Sequence, residues 1–503
     1  MITTTYLAIT IGPIYKTLLQ ARKEREIWIA SYFFSLIMEE IVSELKSKGN
    51  IIIPATPDKS LTPPGAGIYP DRLIMTLNND SFEAEKFLDS LFEKLSGRTG
   101  MNVEYLKNYL QIYHILISQE QLDKFSLKDK DGKEVISFIH KLNHLLNIQE
   151  LKAKYNPTPE AFFNDLFKID TLRKLYKKAY PDEPKRHFPS ILEISAKDSK
   201  FPQDVLDLLY MDDEELKSEE LTLKNEKIQM LTEKHKKQKY IAIINADGDN
   251  MGEVISELKN SDQDVNDFSQ KLAQFSQEAA KIITNYGGEV IYIGGDDILC
   301  MAPIVHNGSN VFQLIKDLNI NFHQVFSDEI YTKNAVSLSY GLSLTYYKYP
   351  LNEALELSRD LLKKAKKIKD KNCMVFQLLQ HSGQYRETIL KFEKGNSFDS
   401  FLKMLNDFSN KENLLQSLTH KFVDDKEMFL AIAGKKERIE GYFNTHFSPN
   451  EKGEDVKEFI KAVKENLVST FDNFKGKHEE AIQQMNTICR ILKFLSNDEQ
   501  NNS

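Results

Sequence analysis

Two short acidic motifs hold most of the chemistry that this sequence can do. Gly294-Gly295-Asp296-Asp297 stands between the apolar runs YGGEVIYI and DILCMA, and Asp247-Gly248-Asp249-Asn250-Met251-Gly252 follows the apolar run YIAIINA. A tight hairpin turn often needs positive φ, which glycine supplies without steric cost, so Gly294-Gly295 predicts a turn with two carboxylates at its apex. Adjacent like charges oppose one another unless a cation is present. Hard oxygen donors suit Mg²⁺ or Mn²⁺, and Mg²⁺ is commonly held by one or two carboxylates together with substrate phosphates. An ion held there would activate a ribose hydroxyl, neutralise an α-phosphate and stabilise departing pyrophosphate. Gly248 and Gly252, at a predicted helix start, would offer backbone N–H groups to phosphate. Lys363, Lys364, Lys366 and Lys367 share one predicted helix, where solvated lysines are the ordinary outcome. Ser339 and Gly341, within SLSYGLSL, are candidates for close approach of a base or ribose, although a strand serine is ordinarily satisfied inside its sheet. A plainer account makes the hairpin a surface turn and Asp247 a helix N-cap. The occurrence of both motifs in one β-α-β-β unit favours a shared site.

The elements that must position these residues read as two copies of one pattern. Residues 240–345 give strand, helix, two strands, helix and a long strand, the order of a ferredoxin-like unit. In such a sheet the first strand is expected beside the strand that leads into the hairpin, so the end of the first strand, at Asp247, approaches the turn that carries Asp296 and Asp297. Residues 1–97 give β-α-β-β-α: a strand from Thr3 to Thr10, helical spacing over 14–47, apolar runs Ile51–Ile53 and Leu73–Leu77, and a helix capped at Ser81. From about 100 to 238 the periodicity is mainly helical, as in Tyr105–Ile117 and Val135–Leu151, with an acidic run at 212–220 and a basic one at Lys234–Lys239. A Leu- and Lys-rich helix follows at 351–369, and the remainder from 385 to 497 reads as helical before a polar tail. The expected fold is α+β, divided at 1–98, 99–238, 239–384 and 385–503.

Composition bounds the class. At ~100–200 residues per domain, 503 residues suggest about three to four domains. With 41% hydrophobic and 28% charged residues and only 15 Pro and 21 Gly, the chain is neither collagen-like nor mostly disordered. The net charge of −8 advertises no nucleic acid globally. Three widely spaced cysteines, Cys300, Cys373 and Cys489, are too few for a four-cysteine zinc site, so no zinc is expected. The opening MITTTYLAITIGP lacks a basic n-region and an apolar membrane span, and a cytoplasmic location without membrane attachment is expected.

With these residues in place, the chain resembles the large, palm-containing subunit of type III CRISPR RNA-guided effector complexes, in the type III-B (Cmr) form. The resemblance rests on IGPIYKTLLQARKEREIWIASYFFS at Ile11–Ser35, YPDRLIM at Tyr69–Met75, ADGDNMG at Ala246–Gly252, GGDD at Gly294–Asp297, and Ser339–Asn372. It implies two ferredoxin-like palm domains facing each other with two nucleotides between them, and metal carboxylates only in the second palm. The helical insert and a helical C-terminal domain complete this architecture. The resemblance implies Asp247, Asp296 and Asp297 as metal-binding acids and Lys366 as a phosphate contact. Gly248, Asp249, Asn250, Gly252, Gly294, Gly295, Ser339 and Gly341 complete the expected nucleotide-binding set. Target RNA would activate conversion of ATP into an adenylate second messenger, a cyclic oligoadenylate or an AMP conjugate of S-adenosylmethionine. Guide RNA, target RNA and other Cmr subunits are the implied partners. Many relatives carry an HD nuclease domain, but none of the 11 histidines here is followed by Asp, so DNA cleavage is not expected. A scaffold subunit without catalysis is the alternative. A diguanylate cyclase fits less well, because Ile298 follows the acids where that family has Asp-Glu-Phe.

Overall fold

Thr5–Gly12, β-branched and aromatic along most of its length, forms β1 at the interior of an N-terminal sheet. Its companions are β2 (Gly49–Ile53), β3 (Arg72–Leu77) and β4 (Gln111–Ser118), all antiparallel in the order β2-β3-β1-β4. Side chains alternate across a strand, so Leu7, Ile9 and Ile11 face one core while Tyr6 and Ala8 face another. Helix Glu24–Leu45 and helix Ala84–Thr99 fill the first, and helix Phe138–Glu150 covers the second. The computed structural model describes residues 4–496 except 59, 79–81, 129–131, 133, 153–158, 182–187, 200–202, 211–215, 234–235, 259–260, 393–396, 408–411, 448–453 and 475. The Ser81 cap and the 497–503 tail therefore lie outside the described residues, as do parts of the two charge runs.

β4 corrects the helical reading of Tyr105–Ile117. Only Val103–Tyr109 is helical there, and QIYHILIS then pairs along the whole of β1, from Gly12↔Gln111 to Thr5↔Ser118. Its alternating apolar residues fit a strand equally well, and the open edge of β1 supplies the partners that decide between the two periods.

The central sheet repeats the arrangement and extends it. β5 (Tyr240–Asp249), β6 (Glu289–Gly294), β7 (Asp297–Pro303), a two-strand hairpin of β8 (Val305–His306) and β9 (Ser309–Asn310), β10 (Ser337–Tyr346), β11 (Cys373–Leu379) and β12 (Tyr385–Lys391) follow in sequence. The sheet order is β12-β11-β10-β5-β7-β6, and its last four members match the N-terminal order. Helix Leu351–Lys367 makes the crossover that parallel β10 and β11 require. β12 corrects the helical reading from residue 385: Gly383, at φ +79°, permits a tight reversal, and buried Thr388 and Leu390 alternate with more open neighbours.

Helix Asp262–Tyr286 and helix Val311–Val325 cover one face of this sheet through Phe275, Phe312 and Phe322. Its other face, with Ile241, Ile243, Ile291 and Leu299, packs into the N-terminal core. Helix Glu24–Leu45 thus lies between two sheets, which explains why Trp28, Phe33, Ile37 and Ile41, around its whole circumference, are buried. Beyond β12, helices from Ser397–Asn406 to His478–Ser496 pack against the β11–β12 side, where Gln484 Nε2 donates to the Ile389 carbonyl at 2.6 Å. No helix among the described residues is long and apolar enough to cross a membrane.

Candidate active site

The GGDD segment is the turn between β6 and β7. Gly294 pairs with Asp297, leaving Gly295 and Asp296 as the two loop residues, and Gly295 takes φ +72°. Positive φ at the first loop residue alone is the type II′ pattern, which matches the twist of the flanking strands. Gly294 is needed for a different reason: a Cβ there would lie 2.0 Å from the Tyr292 hydroxyl. The neighbour of β5 is β7, the strand that leaves the hairpin, which corrects the expected pairing with the strand that leads into it; Ala246 stands opposite Ile298, so the next position sets Asp247 opposite Asp297. The backbone N–H of Gly248 donates to the Asp296 carboxylate, and a Cβ on Gly248 would stand 2.3 Å from Asp296 Oδ2. Both motifs therefore meet at one end of one sheet.

Bringing like charges together has an electrostatic consequence. Burial and the neighbouring Asp247 push the Asp296 carboxyl up to about 6. Asp297 points into a deep cleft, where loss of water and the charges of Asp296 and Asp247 raise it well above the carboxylate range, and its side chain hydrogen-bonds that of Asp247. Lys366 answers part of this charge. Its Nζ lies 2.7 Å from Asp247 Oδ2 and 2.9 Å from Asp249 Oδ1, and it donates to the carbonyls of Asp247 at 2.8 Å and Gly248 at 2.5 Å. Burial works to lower the Lys366 ammonium, but Asp247 and Asp249 outweigh it and hold the group above its ordinary value.

The other expected residues divide into those at the cleft and those behind it. Asp249 is wholly buried, and its Oδ2 accepts from Ser337 Oγ at 2.9 Å, Ser339 Oγ at 2.7 Å and the Asn372 N–H at 3.2 Å. It anchors Lys366 from beneath and does not face a ligand. Ser339 is likewise fully buried, which corrects its assignment to nucleotide binding. Gly341 is corrected too: a Cβ there would meet the Ser358 carbonyl at 2.1 Å and Leu362 N at 2.3 Å, so its role is to let helix Leu351–Lys367 sit on β10. Asn250, at φ 61°, precedes the short helix Met251–Glu257, and its side chain bonds Asn334, Ala335 and Lys371 in place of a ligand. Gly252 falls inside that helix. Lys364 turns away to Glu387 at 2.6 Å, whereas Lys363, Lys366 and Lys367 line the cleft.

That cleft, of about 1000 Å³, lies between the two sheets. Asp247, Asp297 and the lysines form one side, and the Gly12-Pro13 turn, Tyr15, Asp71 and Glu150 belong to the other. The Arg359 guanidinium stacks 3.5 Å from the centre of the Tyr15 ring, joining the walls. Residue-by-residue reading missed Tyr15, Asp71, Glu150 and Arg359; of these, Tyr15, Asp71 and Arg359 lay inside the segments Ile11–Ser35, Tyr69–Met75 and Ser339–Asn372 that carry the resemblance. Among the described residues no three acids, histidines or cysteines form a finished metal cage.

Comparison with known proteins follows the same division. The family model described as Cas10/Cmr2, second palm domain, matches residues 240–375, and that described as CRISPR-associated protein Cmr2, N-terminal, matches residues 6–101. Over these two segments the chain is similar to the Cas10/Cmr2 family. It is 31% identical over 180 residues to the CRISPR system Cmr subunit Cmr2 of Pyrococcus furiosus, covering 31% of this chain and 20% of that protein. It thus aligns with about a fifth of this curated relative. Its fold is similar to a type III-B Cmr-beta structure bound to cognate target RNA, with TM-score 0.52, 12% identity, and coverage of 91% of this chain and 78% of that one. A Csm1-Csm4 cassette in complex with AMPPNP is also similar, with TM-score 0.52, 13% identity, and coverage of 95% and 70%. The Cas10/Cmr2 second-palm match contains Asp247, Asp249, Asp296, Asp297, Arg359 and Lys366, while Tyr15 and Asp71 fall in the N-terminal match.

Proposed function

We propose that this chain is a Cas10/Cmr2-type large subunit of a type III-B CRISPR complex and a target-RNA-activated nucleotidyltransferase that uses ATP. The observation that carries the reading is the meeting of Asp247 and Asp297 beside Lys366 on the floor of a cleft walled by both sheets, with Asp296 packed against Asp247. On this reading the central sheet is the catalytic palm, extended by β11 and β12, and the N-terminal sheet is the facing palm, completed by β4. The remaining partners are guide RNA, target RNA and other Cmr subunits, as the family suggests. The structure of the Cmr-beta relative bound to target RNA supports the same placement.

The donor set fits a Mg²⁺ or Mn²⁺ ion. Asp247 and Asp297 are hard oxygen donors open to the cleft, and the raised carboxyls of Asp296 and Asp297 mark a place short of positive charge. When bound, such an ion supplies charge neutralisation at the α-phosphate and a more acidic attacking hydroxyl. Lys363, Lys366 and Lys367 hold the triphosphate by charge, and Arg359, fixed on Tyr15, orients it from above. Asp249 with Ser337 and Ser339 keeps Lys366 in position. The attacking hydroxyl gives its proton to water in the cleft, its oxygen bonds the α-phosphorus, and the bond from that phosphorus to the bridging oxygen breaks, so that pyrophosphate leaves with the electron pair.

The acceptor, a second ATP or S-adenosylmethionine, would lie against the N-terminal wall, where Asp71 and Glu150 stand with Lys16 and where Arg72 pairs with Glu150 at 3.2 Å. Mass spectrometry of nucleotides formed by the assembled complex with target RNA, Mg²⁺ and ATP, with and without S-adenosylmethionine, tests both points. An adenylate product absent from the Asp296→Ala/Asp297→Ala variant is expected. Absence of product in the unaltered complex, despite verified RNA binding, would favour the scaffold role.

A further inference from the structure

The end of the central sheet opposite the acids holds a pocket of the opposite charge. At about 3.3 Å per residue, Tyr240 at the start of β5 lies ~23 Å along the strand from Asp247. Tyr240 packs edge-on against Phe494, with ring centres 4.8 Å apart, and Phe494 lines a recess of about 360 Å³. Three elements and Gln380 of the β11–β12 turn build it. β12 contributes Arg386, helix Glu412–Asp424 contributes Gln416, Thr419 and His420, and helix His478–Ser496 contributes Arg490 and Lys493. The i, i+3, i+4 spacing of 416, 419 and 420 and the i, i+3 spacing of 490 and 493 set each group on one helical face.

Every polar side chain in this recess is a hydrogen-bond donor, and no carboxylate lines it among the described residues. Neither Arg386 nor Arg490 has an ion pair among the described residues. Arg386 is half-buried, and burial together with the charge of Arg490 holds its guanidinium below the ordinary value. Two arginines are thus held on one concavity without counter-charge, in a chain whose net charge is −8. Planar guanidinium forks match phosphate oxygens. We propose that this pocket binds phosphate, presented by the backbone of a single-stranded RNA. The backbone is the better source because the donors spread over three elements and Gln416, His420 and Arg490 are exposed, which suits a passing chain more than an enclosed small anion.

The test uses the full chain and a fluorescently labelled single-stranded RNA, with anisotropy measured over a salt series. Arg386→Gln/Arg490→Gln is expected to weaken binding about five- to tenfold at low salt and to reduce the slope of log K against log salt by about 1.4, at ~0.7 per phosphate for single strands. Arg386→Lys/Arg490→Lys keeps the charge and is expected to restore most of the slope. Inorganic pyrophosphate forms the second arm, read as a rise in melting temperature. A rise that the Gln variant loses, with RNA binding unaltered, would overturn RNA as the source and assign the pocket to free phosphates. Unaltered RNA affinity and unaltered response to pyrophosphate in the Gln variant would overturn the site altogether. Should the double variant fold poorly, Arg490→Ala, at an exposed helical position, decides by the same two readouts.

Discussion

Replacing Asp296 by asparagine removes one of the charges that the hairpin holds together while keeping the oxygen that accepts from Gly248. The carboxyl stands at about 6 in the folded chain against an ordinary 3.8, a rise caused by burial and by Asp247. A raised folded value means that the folded state binds the proton more tightly. The associated stability is present below about pH 4 and is lost as pH rises through about 6. Two units correspond to a ceiling of ~3 kcal/mol at neutral pH, and sharing of protons with Asp247 and Asp297 reduces the single-residue effect to about 1–2 kcal/mol. Asp296→Asn is therefore expected to raise the melting temperature of the central unit by about 2–6 °C at pH about 8. The gain should vanish at pH about 4. Circular dichroism melts at both pH values, without divalent cation, provide the measurement. Adding Mg²⁺ with ATP should then stabilise the unaltered chain more than the variant, because only the former retains the full acidic site. Equal melting temperatures at pH about 8, or a gain as large at pH about 4, would refute the electrostatic reasoning.

Other substitutions separate holding from chemistry. Lys366→Met leaves the fully buried Asp249 without its cation and should cost about 3–5 kcal/mol in urea unfolding, opposite in sign to Asp296→Asn. Gly341→Ala drives a methyl to within 2.1 Å of the Ser358 carbonyl and should cost about 1–3 kcal/mol, with nucleotide affinity measured by calorimetry unaltered if the glycine only seats the helix.

What the sequence discloses follows the range of the interactions involved. The GGDD turn is local: Gly295 alone requires the positive φ, and the acids must follow it. The approach of Asp247 to the hairpin was legible from the ferredoxin-like order, but which hairpin strand lies beside β5 was not: the expected neighbour was the strand entering the turn, and the observed one is β7, which leaves it. Ser339 and Gly341 were misassigned because a small residue in a strand admits either a ligand or another part of the chain, and here Asp249 and helix Leu351–Lys367 come first. β4 and β12 read as helix because their apolar residues satisfy both periods, and the open edges of β1 and β11 decided the outcome. The wall formed by Tyr15, Asp71 and Glu150 depends on how two units pack, which no single segment specifies.

That packing closes the outer edge of β6. The Ile293 N–H donates to the Gly67 carbonyl at 2.9 Å, and the Ile291 carbonyl accepts from Ser31 Oγ at 2.5 Å. These groups would otherwise be unpaired on an edge strand and available to another chain. The same strand ends at Gly294, one residue before the turn that holds the acids. Any movement of the N-terminal unit relative to the central sheet must therefore break these bonds or drag the hairpin with it. Spacing across the cleft and placement of Asp296 and Asp297 form a single mechanical variable, and a partner gripping only the N-terminal unit would reach the carboxylates without touching them.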